Sequence, residues 1–162
     1  MIVVSDTSPI RGLISIGKID ILKDLFKRII IPKAVRDELL RIRAIHSDIE
    51  SLLNQDWIEI VEIKNKQKLH DLINYLDTGE SEAIVLAKEI NCNLILMDEN
   101  KGRRIAKSLD LDVLGLIGIL ILAKEKGLLT KIKPFLHELR ERYGFWISNE
   151  FYSQILKSIK EK

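Results

Sequence analysis

The apolar positions of the chain fall into short uninterrupted runs and longer stretches with helical spacing. The runs Ile2–Val4, Ile29–Ile31 and Leu94–Met97 are typical of strands buried on both faces of a parallel sheet. Between these runs, apolar residues recur every three or four positions, which indicates amphipathic helices. The alternation predicts an α/β fold in which helices cover both faces of a parallel, twisted sheet.

Other signals complete this set of elements. Ser8 before Pro9 predicts the N-cap of the first helix, and Gly127 predicts the C-cap of a later one. Residues 57–63 predict an edge strand, and Asp112–Leu114 predicts a short strand. The predicted helices cover residues 9–16, 19–26, 67–76, 80–90, 101–109, 116–126, 131–142 and 149–160, with helical structure of some form over residues 32–53.

Composition limits the class of protein. The 162 residues, 46% hydrophobic and 31% charged, predict a single domain over residues 1–162, with a helical extension at about 149–162. A net charge of +2 excludes the strongly basic profile of a protein that coats nucleic acid. Cys92 is the single cysteine, the first residues are not expected to form a leader, and no run reaches the ~20 apolar residues needed to span a membrane. We therefore expect a cytoplasmic protein without a membrane segment.

Two aspartates stand at the ends of two predicted buried strands. Asp6 follows the first strand, and Asp98 follows the strand that ends at Met97. Chemistry in open α/β sheets gathers outside the carboxyl ends of the strands, so both carboxylates enter one crevice if these strands are parallel neighbours. Two ionised carboxylates that lie close together favour a cation between them. The alternative role is helix capping, which Ser8 already fills in the first helix but which Asp98 or Asn100 could fill in the next.

Two glutamates lie beside the apolar stripes of predicted helices and not opposite them. Glu38 is three residues after Val35 and four before Ile42, and Glu82 is four residues before Leu86. A carboxylate in such a position costs free energy unless it is paired or binds a metal. The alternatives are a salt bridge from Glu38 to a neighbouring arginine and an exposed position for Glu82 at the edge of its stripe.

These four acids offer hard oxygen ligands without any histidine. Such a set suits Mg²⁺ or Mn²⁺ and does not suit zinc. A divalent ion held in this way serves phosphodiester hydrolysis, because it activates water and stabilises charge on the phosphate. The candidate catalytic residues and metal ligands are Asp6, Glu38, Glu82 and Asp98.

Several short motifs of the chain resemble, in order and spacing, the successive motifs of PIN domains. The resemblance is strongest to a branch described as predicted nucleic-acid-binding PIN domains, and it runs from Ile2 to about Ile147. The motifs are residues Val4–Ile10, Ile31–Leu39, Asp77–Ile84 and Leu96–Arg103, followed by Leu114–Leu120 and Gly127–Leu129.

This resemblance implies a three-layer α/β/α fold and a metal-dependent endoribonuclease that cuts single-stranded RNA. The same four acids would form the metal site, with Glu99 as an auxiliary acid. Asp6 retains an acid that is often asparagine in this branch, which favours an active enzyme, whereas Glu82 is one methylene longer than the usual aspartate. Many PIN domains are dimeric toxins of toxin–antitoxin pairs, so the implied partners are RNA, an antitoxin and a second copy of the chain.

Two other functions compete with the ribonuclease interpretation. A phosphatase of the haloacid-dehalogenase type also opens with a strand and an aspartate, but it needs a second aspartate where this chain has Ser8. The second alternative is a non-catalytic PIN-fold module that binds nucleic acid or protein. Binding of a divalent ion that raises the thermal stability of the protein would separate an intact metal site from an inert one.

Basic and aromatic residues near these motifs are candidates for nucleic-acid binding. Lys101, Arg103 and Arg104 open the helix after Asp98 and can contact a phosphate, or they form a solvated helix face. Trp57 and Trp146 can stack on bases, although a place in the core or in an interface is the favoured interpretation.

The sequence also distinguishes Glu80 from Glu82. Asp77 stands where an N-cap should, and Glu80 is three residues later, the spacing of a capping box. Glu80 is then expected to reach back to the backbone of Asp77, which leaves Glu82 as the metal ligand.

The stretch Leu114–Ala123 is apolar nearly all round. One face of a sheet does not require so much apolar surface, so part of this helix is expected to face another subunit. We therefore predict a homodimer.

Overall fold

A five-stranded parallel sheet forms the centre of the computed structural model, which describes all residues from Met1 to Lys162. The strands are β1 (Val3–Ser5), β2 (Ile29–Pro32), β3 (Ile58–Val61), β4 (Leu94–Leu96) and β5 (Val113–Leu114). The helices are α1 (Thr7–Ser15), α2 (Asp20–Phe26), α3 (Lys33–Leu40), α4 (His46–Leu53), α5 (Lys66–Leu72), α6 (Thr78–Glu89), α7 (Asn100–Ser108), α8 (Leu116–Glu125), α9 (Lys133–Arg142) and α10 (Asn149–Ser158), with a 3₁₀ turn at Arg43–Ile45.

The strands lie in the order β3-β2-β1-β4-β5, so the chain reverses its direction of travel across the sheet at β1. β1 pairs in parallel with β2 on one side and with β4 on the other, where Ser5 lies opposite Leu96. A reversal of this kind opens a crevice beyond the carboxyl ends of the two central strands. β3 is an edge strand, as predicted.

Two apolar cores flank the sheet, because successive strand residues point to opposite faces. Val3 belongs to the larger core, which α1–α4 and α8–α10 cover. Val4 belongs to the smaller core, which α5, α6 and α7 cover. This is the predicted three-layer α/β/α arrangement.

The first helix differs from the prediction, because Ser8 is not its N-cap. The N-cap position is occupied by Asp6, whose backbone is still extended and whose N–H donates to Leu96 O at 2.9 Å. The chain therefore passes directly from strand to helix at Thr7, and Pro9 lies in the first turn, where a missing N–H costs nothing.

Two other helical segments can be compared with their predicted ends. The stretch from 32 to 53 is broken after Leu40, because Ile42 is extended before the 3₁₀ turn. Gly127 has a positive φ directly after the C-cap of α8, as predicted for a helix end. No helix is long and apolar enough to cross a membrane.

Candidate active site

The two aspartates predicted to share a crevice do lie at the ends of neighbouring strands. Asp6 directly follows β1, Asp98 lies two residues after β4, and the two strands are paired in parallel. The two strands are therefore parallel neighbours, which is the condition under which both carboxylates enter one crevice. The negative charge of Asp98 contributes to the raised pKa of Asp6, which reflects their proximity.

Asp6 is held in the interior without a hydrogen-bond donor for one of its oxygens. Its residue is 3% exposed, and its Oδ1 has no partner. Burial raises the pKa of the Asp6 carboxyl to about 7, with smaller contributions from the charges of Asp77, Glu38 and Asp98 and an opposing contribution from the Thr7 N–H. Although Asp6 occupies the N-cap position of α1, its side chain caps nothing.

Glu80 joins this site from the first turn of α6. It is buried, and its Oε2 has no hydrogen-bond partner. Burial raises the pKa of Glu80 to about 8, and hydrogen bonding with Asp77 and the charges of Asp77, Asp6 and Glu99 add to the shift. A Cβ at Gly102 would lie 2.6 Å from this oxygen, so the absence of a side chain on α7 makes room for the Glu80 carboxylate.

Asp98 is oriented by the start of the helix that follows β5. Its Oδ1 accepts a hydrogen bond of 2.7 Å from the Leu116 N–H, whereas Oδ2 is buried without a partner. Burial raises the pKa of Asp98, and the Leu116 N–H and the Arg103 guanidinium oppose this shift. Asp98 therefore contacts the N-terminus of α8, and the N-cap position of α7 belongs to Glu99.

The unpartnered atoms define the chemistry of the site. Only three buried side-chain oxygen or nitrogen atoms in the chain have no hydrogen-bond partner, and all three are carboxylate oxygens, of Asp6, Glu80 and Asp98. Buried polar atoms are nearly always partnered in folded proteins, so such a group calls for a missing partner. In the positions that the side chains take in this structure, no group of three or more Asp, Glu, His or Cys residues could hold a metal ion. The chemistry of the three unpartnered atoms, hard carboxylate oxygens without histidine or cysteine, is that of Mg²⁺ or Mn²⁺ ligands and not that of zinc ligands.

Glu38 borders this cluster, but both of its oxygens are engaged. It accepts hydrogen bonds from the Gly79 N–H at 3.0 Å and from the Thr7 hydroxyl. A Cβ at Gly79 would overlap the Glu38 carboxylate, so the glycine allows α6 to start directly against α3. The negative charge of Glu38 also raises the pKa of Asp6.

The contacts of Glu80 and Glu82 are the reverse of those expected from the sequence. Asp77 is the N-cap of α6, as predicted, and accepts from the Glu80 N–H at 2.8 Å. The Glu80 carboxylate, however, is buried near Asp6. Glu82 has the structural contact, because its Oε1 accepts from the Ala34 N–H at 3.2 Å at the start of α3.

The predicted basic residues surround the site unevenly. Arg103 is partly buried, and its guanidinium donates to Met97 O at 3.1 Å. Its positive charge opposes the rise in the pKa of the Asp98 carboxyl. Lys101 is exposed, with its ammonium 5.9 Å from the ring centre of Tyr75, and Arg104 is exposed. Arg103 therefore lies closest to the acidic cluster.

The sequence missed residues that come near the site only through tertiary packing. Arg11 and Tyr143–Trp146 line a groove together with Asp98, Glu99 and Asn100. Trp57 is buried, as expected for a core residue, whereas Trp146 is 87% exposed and is not part of the core, so an interface or a ligand contact remains the prediction for it. No local signal identifies Arg11, because it lies on the exposed side of an ordinary amphipathic helix.

A family model described as a PIN domain matches residues 2–161, nearly the whole chain. The chain belongs to the PIN-domain family. No curated protein matches this PIN domain. The family and the acidic crevice together indicate a nuclease-type fold, in agreement with the resemblance found in the sequence motifs.

Proposed function

We propose that this PIN domain is a divalent-metal-dependent endoribonuclease that cleaves single-stranded RNA, with Mg²⁺ or Mn²⁺ bound by Asp6, Glu80 and Asp98. The observation that carries the proposal is the set of three buried carboxylate oxygens without a partner at the carboxyl ends of β1 and β4. Each of these groups has a raised pKa, which means that the protein destabilises its charged form when no cation is present.

The protein orients its acids before any ligand arrives. The Asp6 backbone is bonded to β4, and the Asp98 carboxylate is fixed by the Leu116 N–H. Glu38 is fixed by the Gly79 N–H beside the cluster, where it adds negative charge without offering a free oxygen. When bound, a divalent ion would activate water and neutralise phosphate charge.

The proposed set of metal ligands contains Glu80 in place of Glu82, the residue that the sequence indicated. Glu82 contacts the positive end of the α3 dipole, where a carboxylate is stabilised, so it has a structural role of its own. Glu99 is exposed and close enough to raise the pKa of Glu80, which suits an auxiliary acid that acts through a bound water. We infer that Arg103 and Arg11, which line the two grooves that contain Asp98, contact the phosphates of the RNA.

The test is cleavage of end-labelled single-stranded RNA by the purified protein. We expect cleavage with Mn²⁺ or Mg²⁺, none in EDTA, and loss of most of the rate in Asp6→Asn and Asp98→Asn. Circular dichroism of both variants serves as the control for folding. Cleavage that persists in both folded variants would identify a contaminant, and metal binding without cleavage would favour the non-catalytic module.

The proposal extends to a toxin role, an antitoxin partner and a homodimer. The outer position Leu122 of α8 is apolar and only partly buried, which supports a contact with a second copy. Light scattering at micromolar concentration tests the dimer, and a monomer would contradict it. Growth arrest on expression, relieved by Asp6→Asn and by the product of a neighbouring gene, tests the toxin role.

A further inference from the structure

Trp146 is the most exposed large aromatic residue of the chain and lies beside the acidic site. Its residue is 87% exposed, whereas the only other tryptophan, Trp57, is buried. Tryptophan is enriched where proteins contact partners and ligands, because one side chain offers a large apolar ring and a polar N–H. The exposed indole beside the acidic site is therefore a candidate contact for a ligand.

The chain around Trp146 is anchored on both sides. The preceding residue, Phe145, lies against α1, where a Cβ at Gly12 would come within 3.1 Å of its ring. Its backbone N–H donates to Leu139 O at 3.0 Å, and the following residue, Ile147, is buried in the larger core. Trp146 is thus presented on a fixed support rather than at the tip of a loose loop.

Trp146 lies between two grooves that both reach Asp98. One groove, of about 550 Å³, has an apolar floor from α8 and is bordered by Arg103. The other, of about 410 Å³, is bordered by Arg11. Asp98 and Asn100 line both grooves, so an extended chain that passes Asp98 also passes the indole.

The grooves beside the indole are lined by arginines and by the acids Asp98 and Glu99, and a charged lining of this kind favours a nucleic-acid strand with its bound cation over an apolar peptide. Arg11 is exposed and forms no salt bridge, and Arg103 reaches the same crevice from α7. In sites for single-stranded nucleic acid, basic side chains bind phosphates while aromatic rings stack on bases. Stacking tolerates any base, and it needs bases that are not paired in a duplex.

We propose that Trp146 is a stacking platform for a nucleobase next to the phosphate cleaved at Asp98, so that the groove selects single-stranded RNA. The inference rests on the proposed ribonuclease function, because it takes the acidic crevice as the point where the strand is cut. It assigns the positioning of the substrate to Trp146, a residue of the C-terminal segment that lies outside the acidic motifs.

Binding of a dye-labelled hexamer of oligoadenylate in Mg²⁺, measured by fluorescence anisotropy, gives the affinity that tests the platform, and quenching of tryptophan fluorescence reports contact with the indole. The parent protein is Asp6→Asn, which prevents cleavage and leaves the groove intact because Asp6 is buried. We expect saturable quenching in the parent and affinity about 5- to 150-fold lower in Trp146→Ala. Trp146→Phe should keep most of the affinity but lose the quenching, since Trp57 is buried. Leu128→Ala, at an exposed apolar residue outside both grooves, should bind as the parent does.

A ribose-phosphate hexamer without bases is the matched ligand. It should bind parent and Trp146→Ala equally and quench neither. Equal affinity of parent and Trp146→Ala for oligoadenylate would overturn the platform, and so would a change from dimer to monomer in Trp146→Ala without loss of RNA affinity. If the wild-type protein cleaves RNA and Trp146→Ala cleaves it at the same kcat/KM, the stacking platform is contradicted and the proposed ribonuclease function is not. Base-dependent quenching in a protein without nuclease activity would support the platform and contradict the proposed function.

Discussion

At the scale of single residues, the site consists of acids that the fold destabilises in their charged form. The positions of Asp6 and Asp98 could be predicted, because a buried strand followed by an aspartate is visible in the sequence. The separate roles of Glu80 and Glu82 could not. Both belong to α6, and only the packing of α6 against α3 brings Glu82 to the Ala34 N–H, 48 residues away in the chain.

Stability without metal should depend on pH because of Asp6 and Glu80. Their carboxyls have pKa values of about 7 and about 8 in the folded protein, above the values of about 4 expected in the unfolded chain. Between these values the native state binds more protons than the unfolded state, so the free energy of unfolding falls as pH rises from about 4 to about 8. Urea unfolding in EDTA across this range should show the decline in the wild type.

Asp6→Asn is the control for this pH dependence. It removes one of the three acids whose pKa is raised, so its decline should be shallower and should come from Glu80 and Asp98. A wild-type stability that rises steadily over this range would contradict the assignment of buried, uncompensated carboxyls. Saturating Mg²⁺ should flatten the decline, because the ion favours the ionised carboxylates.

At the scale of elements, the site depends on helices that approach each other closely at glycines. Gly79 on α6 makes room for Glu38 of α3, and Gly102 on α7 makes room for Glu80 of α6. The helices themselves could be predicted from their apolar periodicity. Their close approach could not, because a glycine inside a predicted helix does not reveal which side chain will occupy the space above it.

Gly102→Ala should therefore disturb the site from the neighbouring helix. The new Cβ would lie 2.6 Å from both Glu80 Oε2 and Met97 Sδ, so one of them must move. We expect a loss of about 1–3 kcal/mol in the free energy of unfolding, as for an overpacked core, and weaker Mn²⁺ binding. Gly118→Ala on α8 is the matched control for overpacking, since its Cβ would lie 2.4 Å from Cδ1 and 3.2 Å from Cγ of Leu114 and would meet no carboxylate. Unchanged Mn²⁺ affinity in Gly102→Ala would show that the position of Glu80 does not matter.

At the scale of the whole molecule, the alternation of strands and helices was enough to predict a three-layer α/β/α fold, but not how the C-terminal segment docks. The segment predicted as an extension, residues 149–162, is part of the larger core through Ile155, and Ile147 packs into the same core just before it. Glu161 joins it to the body, because its carboxylate accepts from the Ile132 and Lys133 N–H groups and pairs with Lys124 at 2.8 Å. These partners are 28 to 37 residues away in the chain, a separation at which local patterns carry no information.

Glu161→Ala should destabilise the protein although Glu161 is the penultimate residue of the chain. The Glu161 side chain is only 6% exposed, and its removal leaves the Ile132 and Lys133 N–H groups without a partner. We expect a loss of about 1–3 kcal/mol in the free energy of unfolding. Glu125→Ala, at an exposed glutamate without a salt bridge, should change it by less than about 0.5 kcal/mol. Equal stability of the two variants would show that the C-terminal segment is not held by Glu161.

Calorimetric titration of Mn²⁺ into the wild type, Asp6→Asn, Glu80→Gln and Glu82→Gln tests the central claim most directly. Asp6 and Glu80 each have a buried oxygen without a partner, whereas Glu82 is bonded to the start of α3. The wild type should bind Mn²⁺, Asp6→Asn and Glu80→Gln should bind it at least about tenfold more weakly, and Glu82→Gln should bind it as the wild type does. No binding by the wild type, or loss of binding in Glu82→Gln with normal binding in Glu80→Gln, would contradict the account.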